Sequence, residues 1–431
     1  MKNKYKRLRK TLFLILITLL ILSTTSFGEN LDISTYSPYC ILIESSTGKI
    51  IYEKNSHAQV SPASTTKMMT AILALENCEL TDIATVSYNA ISSIPLDYVT
   101  SRIQVGEQLT IDQLLHILLI PSANDAAIVL AEHISGSVNS FVTMMNTKAS
   151  EIGCLNTNFV NSNGMQAENH YSSAYDLALI GRYAMQNETF RKIVSTTSYT
   201  LPATNKYDKN DRFFKTSNEL LITDTRDSVD NYYYPVATGI KTGYTATAKD
   251  CIVASAKKDG IEYIVVILGA DKTENGLSAR YIDCKKLFDY AFENYKTTVI
   301  NEENSILKQI KISNATMNTK NLDVIVEDDI TLLLKKNTLD TSITPNVEIT
   351  SNLIAPISKN SVIGKITYNI DGNEYSSNLL AGADVEKSNM YTSILTISSI
   401  LIVLFLLCKL LKFNKKKKRK SKKKYVKKHY R

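Results

Sequence analysis

Three short groups of residues have the types and spacing for acyl-transfer chemistry. The first is Ser64-Thr65-Thr66-Lys67. Residues three apart on a helix share a face, so the Ser64 hydroxyl and the Lys67 amine can meet across one turn. A serine hydroxyl is a weak nucleophile at neutral pH, and a lysine can take its proton once burial or a nearby cation lowers the lysine pKa. The same spacing recurs at Ser46/Lys49, Ser255/Lys258, Ser305/Lys308 and Ser421/Lys424. Only Ser64 directly precedes a long apolar helical pattern, where converging backbone N–H groups favour negative charge. The second group, Ser122-Ala123-Asn124, lies between Pro121 and a helix starting near Asp125. Taken alone it reads as a helix N-cap, and Ser-x-Asn recurs at Ser87, Ser137, Ser358 and Ser376. The third, Lys241-Thr242-Gly243, occurs once, in an edge-strand-like run that continues into Tyr244. Gly243 there lets a substrate backbone approach, and Lys241 and Thr242 offer an ammonium and a hydroxyl to a carboxylate. By itself it reads equally well as a turn with a surface lysine.

The surrounding pattern indicates how these groups are held. Tyr39 to Glu53 reads as a β-hairpin around Ser-Thr-Gly. Thr65–Asn77, Leu109–Leu119, Asp125–Ile134, Ser137–Ile152 and Ser173–Met185 carry helical periodicity. Strand signals return at Cys251–Ala256 and Tyr263–Leu268, followed by an amphipathic helix over Arg280–Tyr295. Strands at both ends and helices between them predict an α+β domain over residues 35–297, with the first hairpin and the last strands in one antiparallel sheet. Short β runs at 310–312, 322–327, 330–334, 347–349 and 363–370 predict a small all-β domain over 298–386. A linker follows over Ala383–Met390.

The two ends belong to neither domain. A basic stretch from Lys2 to Lys10, an apolar run from Leu12 to Leu22 and small residues at Ser26 and Gly28 read as a secretory signal over residues 1–28. Residues 391–411 predict a transmembrane helix, and the Lys/Arg block over 412–431 predicts a cytoplasmic tail, with everything before Tyr391 on the extracytoplasmic face of the cell membrane. The net charge of +8 misleads, because 14 of the 50 basic residues follow Cys408 and six precede Leu12, whereas all 42 acidic residues lie between. The intervening region is formally acidic, which disfavours nucleic acid as a partner. The tail suits anionic lipid headgroups. Five scattered ectodomain cysteines form no CxxC pair, and the histidines show no HxxxH or Cys/His clustering, so neither a disulfide framework nor a metal site is expected.

A Ser-x-x-Lys at a helix start, a Ser-x-Asn opening a later helix and a Lys-Thr-Gly on a late strand match, in that order, the motif set of penicillin-binding proteins and serine β-lactamases. Over about residues 35 to 386 the chain resembles the low-molecular-mass D-alanyl-D-alanine carboxypeptidases, the serine peptidase family that includes penicillin-binding protein 5. Further likeness lies in residues 118–127, 141–146 and 171–177, and in Leu353-Ile354-Ala355-Pro356-Ile357 of the β domain. The resemblance implies a β-lactamase-like catalytic fold, no cofactor, peptidoglycan stem peptides as substrate and β-lactams as acylating inhibitors. It implies Ser64 as nucleophile, Lys67 as its base, Ser122 as proton relay to the leaving D-alanine, and Asn124 as holder of the lysine and substrate amide. The N–H groups of Ser64 and Tyr244 would form the oxyanion site, and Lys241 and Thr242 would bind the terminal carboxylate. Arg280 matches the family's carboxylate-site arginine, the alternative being an ordinary surface arginine. A class A β-lactamase is disfavoured because no Glu-x-x-x-Asn lies between Ser122 and Lys241. An endopeptidase or transpeptidase would use the same residues, and an inactive wall-binding scaffold would not require intact motifs.

Overall fold

The computed structural model describes residues 33–223, 232–338, 343–370 and 372–428. The expected signal at 1–28 lies outside the described residues. The chain divides into two compact units, one ending at Asn294 and the other beginning at Tyr295.

In the first unit, β1 (Tyr39–Glu44) and β2 (Ile50–Lys54) form the expected hairpin. Two short ribbons follow, β3 (Ile83–Thr85) with β4 (Gln108–Thr110) and β5 (Ser198–Leu201) with β6 (Arg212–Lys215). The late strands are β7 (Ala237–Thr245), β8 (Lys249–Lys258) and β9 (Ile261–Ala270). They join the hairpin in one antiparallel sheet of order β2-β1-β9-β8-β7, so Lys241-Thr242-Gly243 does stand on an edge strand.

The helical block comprises α1 (Lys67–Asn77), α2 (Tyr88–Ser92), α3 (Ile111–Leu119), α4 (Asn124–Ser135), α5 (Val138–Ile152), α6 (Ala174–Ala184) and α7 (Glu188–Val194). It is followed after β9 by α8 (Ala279–Asn294). Side chains alternate between faces along a strand. Tyr263 meets Phe292 of α8, whereas Ile264 and Val253 face Gly181 of α6. The sheet is therefore covered on both faces, and its inner residues Ile264, Val266 and Leu268 share one core with Met68, Met69, Leu118 and Leu130 of the helices.

Some expected boundaries shift for local reasons. Leu109 and Thr110 are strand residues paired with Ala84 and Ile83, because Thr110 caps α3 in a reciprocal box with Gln113 and so cannot lie within it. The final helix of this unit ends at Asn294, not Tyr295. Tyr295–Asn301 is instead β10, paired with β13 (Ile330–Lys335), which moves the domain boundary from 297/298 to 294/295.

In the second unit, β11 (Ile306–Lys311), β12 (Asn321–Val326), β14 (Asn346–Ile349), β15 (Val362–Ile370) and β16 (Asn373–Ala381) form a sheet of order β11-β12-β16-β15-β14. Leu322, Val324, Leu332, Leu334, Ile366 and Leu379 fill its core. The stretch 383–390, expected as a linker, is partly built in: Val385 is buried and bridges Ile357, and Lys387 bridges Ala315. From Met390 to Lys428 the chain is one helix, α9, within which Ser393–Lys420 is long and apolar enough to cross a membrane.

Candidate active site

The helix carrying Lys67 does not begin at Ser64. Residues Ala63–Thr66 form a 3-10 turn that leads into α1, and Ser64 sits on that turn. Ala63 takes a left-handed backbone with φ 46°, rare for an alanine and a position of local strain. The turn is pinned from three sides. On one, Gly243 of β7 lies so close that a Cβ there would fall 2.9 Å from the Ser64 nitrogen. On another, Gly164, at φ 82°, lies where a Cβ would come within 1.9 Å of the Ala63 carbonyl oxygen. Beneath it, Thr66 Oγ1 donates to the Ala63 oxygen (2.8 Å) and contacts His170 Nε2 (2.9 Å). Because His170 Nδ1 accepts from the Val160 N–H (3.1 Å), the ring proton belongs on Nε2, which donates to Thr66. Burial, with the Lys67 charge, lowers the His170 pKa to about 4, so this ring is neutral near pH 7.

Lys67 is fully buried. Its Nζ lies 2.9 Å from Ser64 Oγ, 2.8 Å from Asn124 Oδ1 and 2.6 Å from the Asn163 carbonyl oxygen. Asn124 opens α4, where Ala123 occupies the cap position without any side-chain cap, so the capping explanation of Ser122-Ala123-Asn124 fails. Asn124 Nδ2 instead donates to Val99 O (2.9 Å), which turns Oδ1 toward the lysine. Burial, with the nearby Lys241 charge, holds the Lys67 amine well below the usual lysine value, and Asp125 opposes this. Ser122, also left-handed at φ 71°, joins Ser64 and Asn124 in lining one cleft of about 440 Å³.

The β7 edge also lines the cleft, with Thr242, Gly243 and Tyr244 in its wall. The Tyr244 side chain is exposed. Thr242 Oγ1 lies 2.6 Å from Ser217 Oγ, and Arg280 also lines the cleft. Arg280 is partly buried: its guanidinium is held by Asp250 (3.0 Å) and the Gly243 carbonyl (3.3 Å) and stacks over Tyr281. Lys241 differs from expectation. It is buried behind the wall, with Nζ donating to the Thr242 carbonyl (2.9 Å), and burial together with the Arg280 charge brings its pKa down to about 7. Gly243 also has a different use, since the backbone it admits is that of the Ser64 turn.

The nine residues singled out by sequence thus gather around one cleft, seven in its lining and the two lysines behind it. Ser217, Asn163, Gly164 and His170 were missed. Only the Asn163-Gly164 pair carried a local signal, that of a turn; Ser217 and His170 reach the site through long-range packing.

A serine beside a buried amine on an α+β scaffold is an arrangement suited to a serine-type hydrolase or acyl transferase. Residues 27–272 match the D-alanyl-D-alanine carboxypeptidase family, and residues 295–387 match the penicillin-binding protein 5 C-terminal domain. Among curated relatives, the D-alanyl-D-alanine carboxypeptidase DacF of Bacillus subtilis (strain 168) is 32% identical over 399 residues, covering 90% of this chain and 96% of the relative. Among solved structures, penicillin-binding protein 5 from Haemophilus influenzae is 27% identical with TM-score 0.65, covering 83% of this chain and 99% of its own. The Streptomyces K15 DD-transpeptidase is 30% identical with TM-score 0.55, covering 61% and 98%. The chain belongs to the D-alanyl-D-alanine carboxypeptidase family of low-molecular-mass penicillin-binding proteins, serine hydrolases that act on peptidoglycan.

Proposed function

We propose that Ser64 is the nucleophile that removes the terminal D-alanine from peptidoglycan stem peptides, with Lys67 as its base. The observation that carries this is the set of partners around Lys67 Nζ. Asn124 Oδ1 and the Asn163 carbonyl can only accept, so a neutral amine spends its two N–H groups on them. Its lone pair then faces the Ser64 hydroxyl 2.9 Å away. Burial and the Lys241 charge both favour that neutral form.

In the forward step the Ser64 oxygen bonds to the carbonyl carbon of the D-Ala-D-Ala peptide bond while its proton passes to Lys67. The oxyanion forms between the N–H groups of Ser64 and Tyr244, a donor pair worth about 3 kcal/mol per donor in comparable sites. Ser122, on the same cleft, relays a proton to the departing D-alanine nitrogen. Thr242 and Arg280 receive the terminal carboxylate, joined by Ser217, and Lys241 adds positive charge from behind the wall. Water then cleaves the ester and regenerates Ser64. A β-lactam follows the same path to an acyl group on Ser64.

The apolar helix within 393–420 spans the cell membrane, with the basic tail inside and the catalytic unit outside, in keeping with its length, composition and flanking charge. The tail contacts anionic headgroups, and nucleic acid is not a partner.

A second reading, transpeptidation, has support in the likeness to the Streptomyces K15 DD-transpeptidase. Incubating the full chain with a pentapeptide ending in D-Ala-D-Ala, plus an amine acceptor, separates the two. Free D-alanine with hydrolysed tetrapeptide is expected. Predominant transfer to the acceptor, or cutting of cross-linked dimers without D-alanine release, would reassign the activity.

A further inference from the structure

We infer that Cys78, Asp82 and His133 form a Zn²⁺ site that ties together the far ends of the two helices bearing Lys67 and Asn124. Cys78 is the residue that closes α1, and His133 lies in the last turn of α4. The two helices pack side by side. Asp82 stands just before β3, its Oδ2 accepting from the Glu79 N–H at 2.9 Å, so the loop leaving α1 turns its carboxylate back toward the helix end. One ligand atom from each of the three residues lies within 4.8 Å of the other two. A tetrahedral zinc ion with ordinary bond lengths requires ligand atoms about 3.5 Å apart. Small rotations of the exposed His133 side chain and the Asp82 carboxylate close that difference.

The chemistry of the trio selects the ion. A thiolate, a carboxylate and a neutral imidazole carry two negative charges, which Zn²⁺ balances, and a sulfur and nitrogen donor pair prefers Zn²⁺ or Co²⁺ to Ca²⁺ or Mg²⁺. A bound dication favours the thiolate form of Cys78. On binding, the Cys78 S–H bond breaks, a sulfur–metal bond forms, and one proton goes to buffer; no electrons are exchanged. Water completes the coordination. The Glu79 N–H already orients the Asp82 carboxylate, the kind of outer contact that fixes a metal ligand.

The site is distinct from the catalytic cleft, being separated from Lys67 by the length of α1, roughly 16 Å for its eleven residues. Its effect is on the scaffold. By pinning the ends of α1 and α4, the ion holds in register the helices that deliver Lys67 Nζ to Asn124 Oδ1.

The test uses the full chain in detergent, reduced, stripped with chelator and titrated with Co²⁺. A thiolate-to-cobalt charge-transfer band that saturates at a single equivalent, releases a proton and is displaced by Zn²⁺ but not Ca²⁺ is expected. Cys78→Ser abolishes the band, His133→Ala and Asp82→Asn weaken Co²⁺ binding by about 10–100-fold, and Cys408→Ser leaves both unchanged. Zn²⁺ raises the Tm of the wild type and not that of His133→Ala. Penicillin labelling of each variant shows that it is folded. Absence of the band, a band equally strong in His133→Ala and Asp82→Asn, or displacement by Ca²⁺ would overturn the assignment.

Discussion

In the proposed mechanism the two buried lysines, Lys67 and Lys241, have opposite protonation requirements. Lys67 must be neutral to accept a proton, so acylation falls as pH drops through its lowered pKa. Lys241 must be charged to draw a carboxylate, and with a pKa of about 7 it loses that charge as pH rises. We predict that kcat/KM for a D-Ala-D-Ala peptide is bell-shaped, its acid limb set by Lys67 and its alkaline limb by Lys241. In Lys241→Met the alkaline limb disappears and the acid limb moves to higher pH, because Lys67 loses a neighbouring cation; an unchanged alkaline limb would remove Lys241 from the carboxylate site. The same residue links to stability. Its folded pKa is about 7 and its ordinary value 10.5, so between these the unfolded chain holds a proton that the fold lacks. Its destabilising contribution is full below about 7 and is relieved as pH rises toward 10.5. Tm measured across that window should rise less steeply with pH in Lys241→Met than in wild type. Ser64, Lys67, Ser122 and Asn124 were legible because each pair lies within one turn of chain. Ser217 was not, since its place beside Thr242 depends on residues 25 apart in sequence meeting in the cleft lining.

At the scale of elements, the site depends on how tightly β7 and the 161–165 loop clasp the 3-10 turn. Gly164→Ala adds a methyl 1.9 Å from the Ala63 oxygen at a φ of 82°, so both sterics and backbone conformation oppose it. A loss of about 3 kcal/mol is expected by thermal or urea unfolding. Gly243→Ala has negative consequences of another kind, displacing the Ser64 nitrogen from the β7 edge. Acylation by penicillin should slow about 100-fold, with Tm falling less than in Gly164→Ala; equal acylation rates would show that the close approach is not needed. The shared sheet and six of the eight helices described for the first unit were legible from periodicity, whereas the short α2 and α7 and the ribbons β3-β4 and β5-β6 were not. The 3-10 turn was not, because Ala63 and Thr66 owe their conformation to Gly164, Gly243 and His170, not to any local helix signal. The start of α3 was misread because Leu109 continues the apolar period while the Thr110 cap fixes the boundary after it.

At the scale of the molecule, the catalytic unit, the β unit and the apolar helix are separable in sequence, and the pattern changes that mark them were visible apart from the exact seam. That seam moved to 294/295 because Tyr295 pairs with Lys335, a partner 40 residues away that no local signal announces. Ending the chain at residue 389 should yield a protein that partitions to the aqueous phase while its penicillin acylation rate matches the full chain. Retention in the membrane fraction would show that α9 is not the anchor. The account as a whole rests on one covalent bond. Brief incubation with a penicillin, followed by proteolysis and mass mapping, should find the acyl group on the peptide containing Ser64 and nowhere else, with none in Ser64→Ala. An adduct on another residue, or labelling that survives in Ser64→Ala, would contradict it.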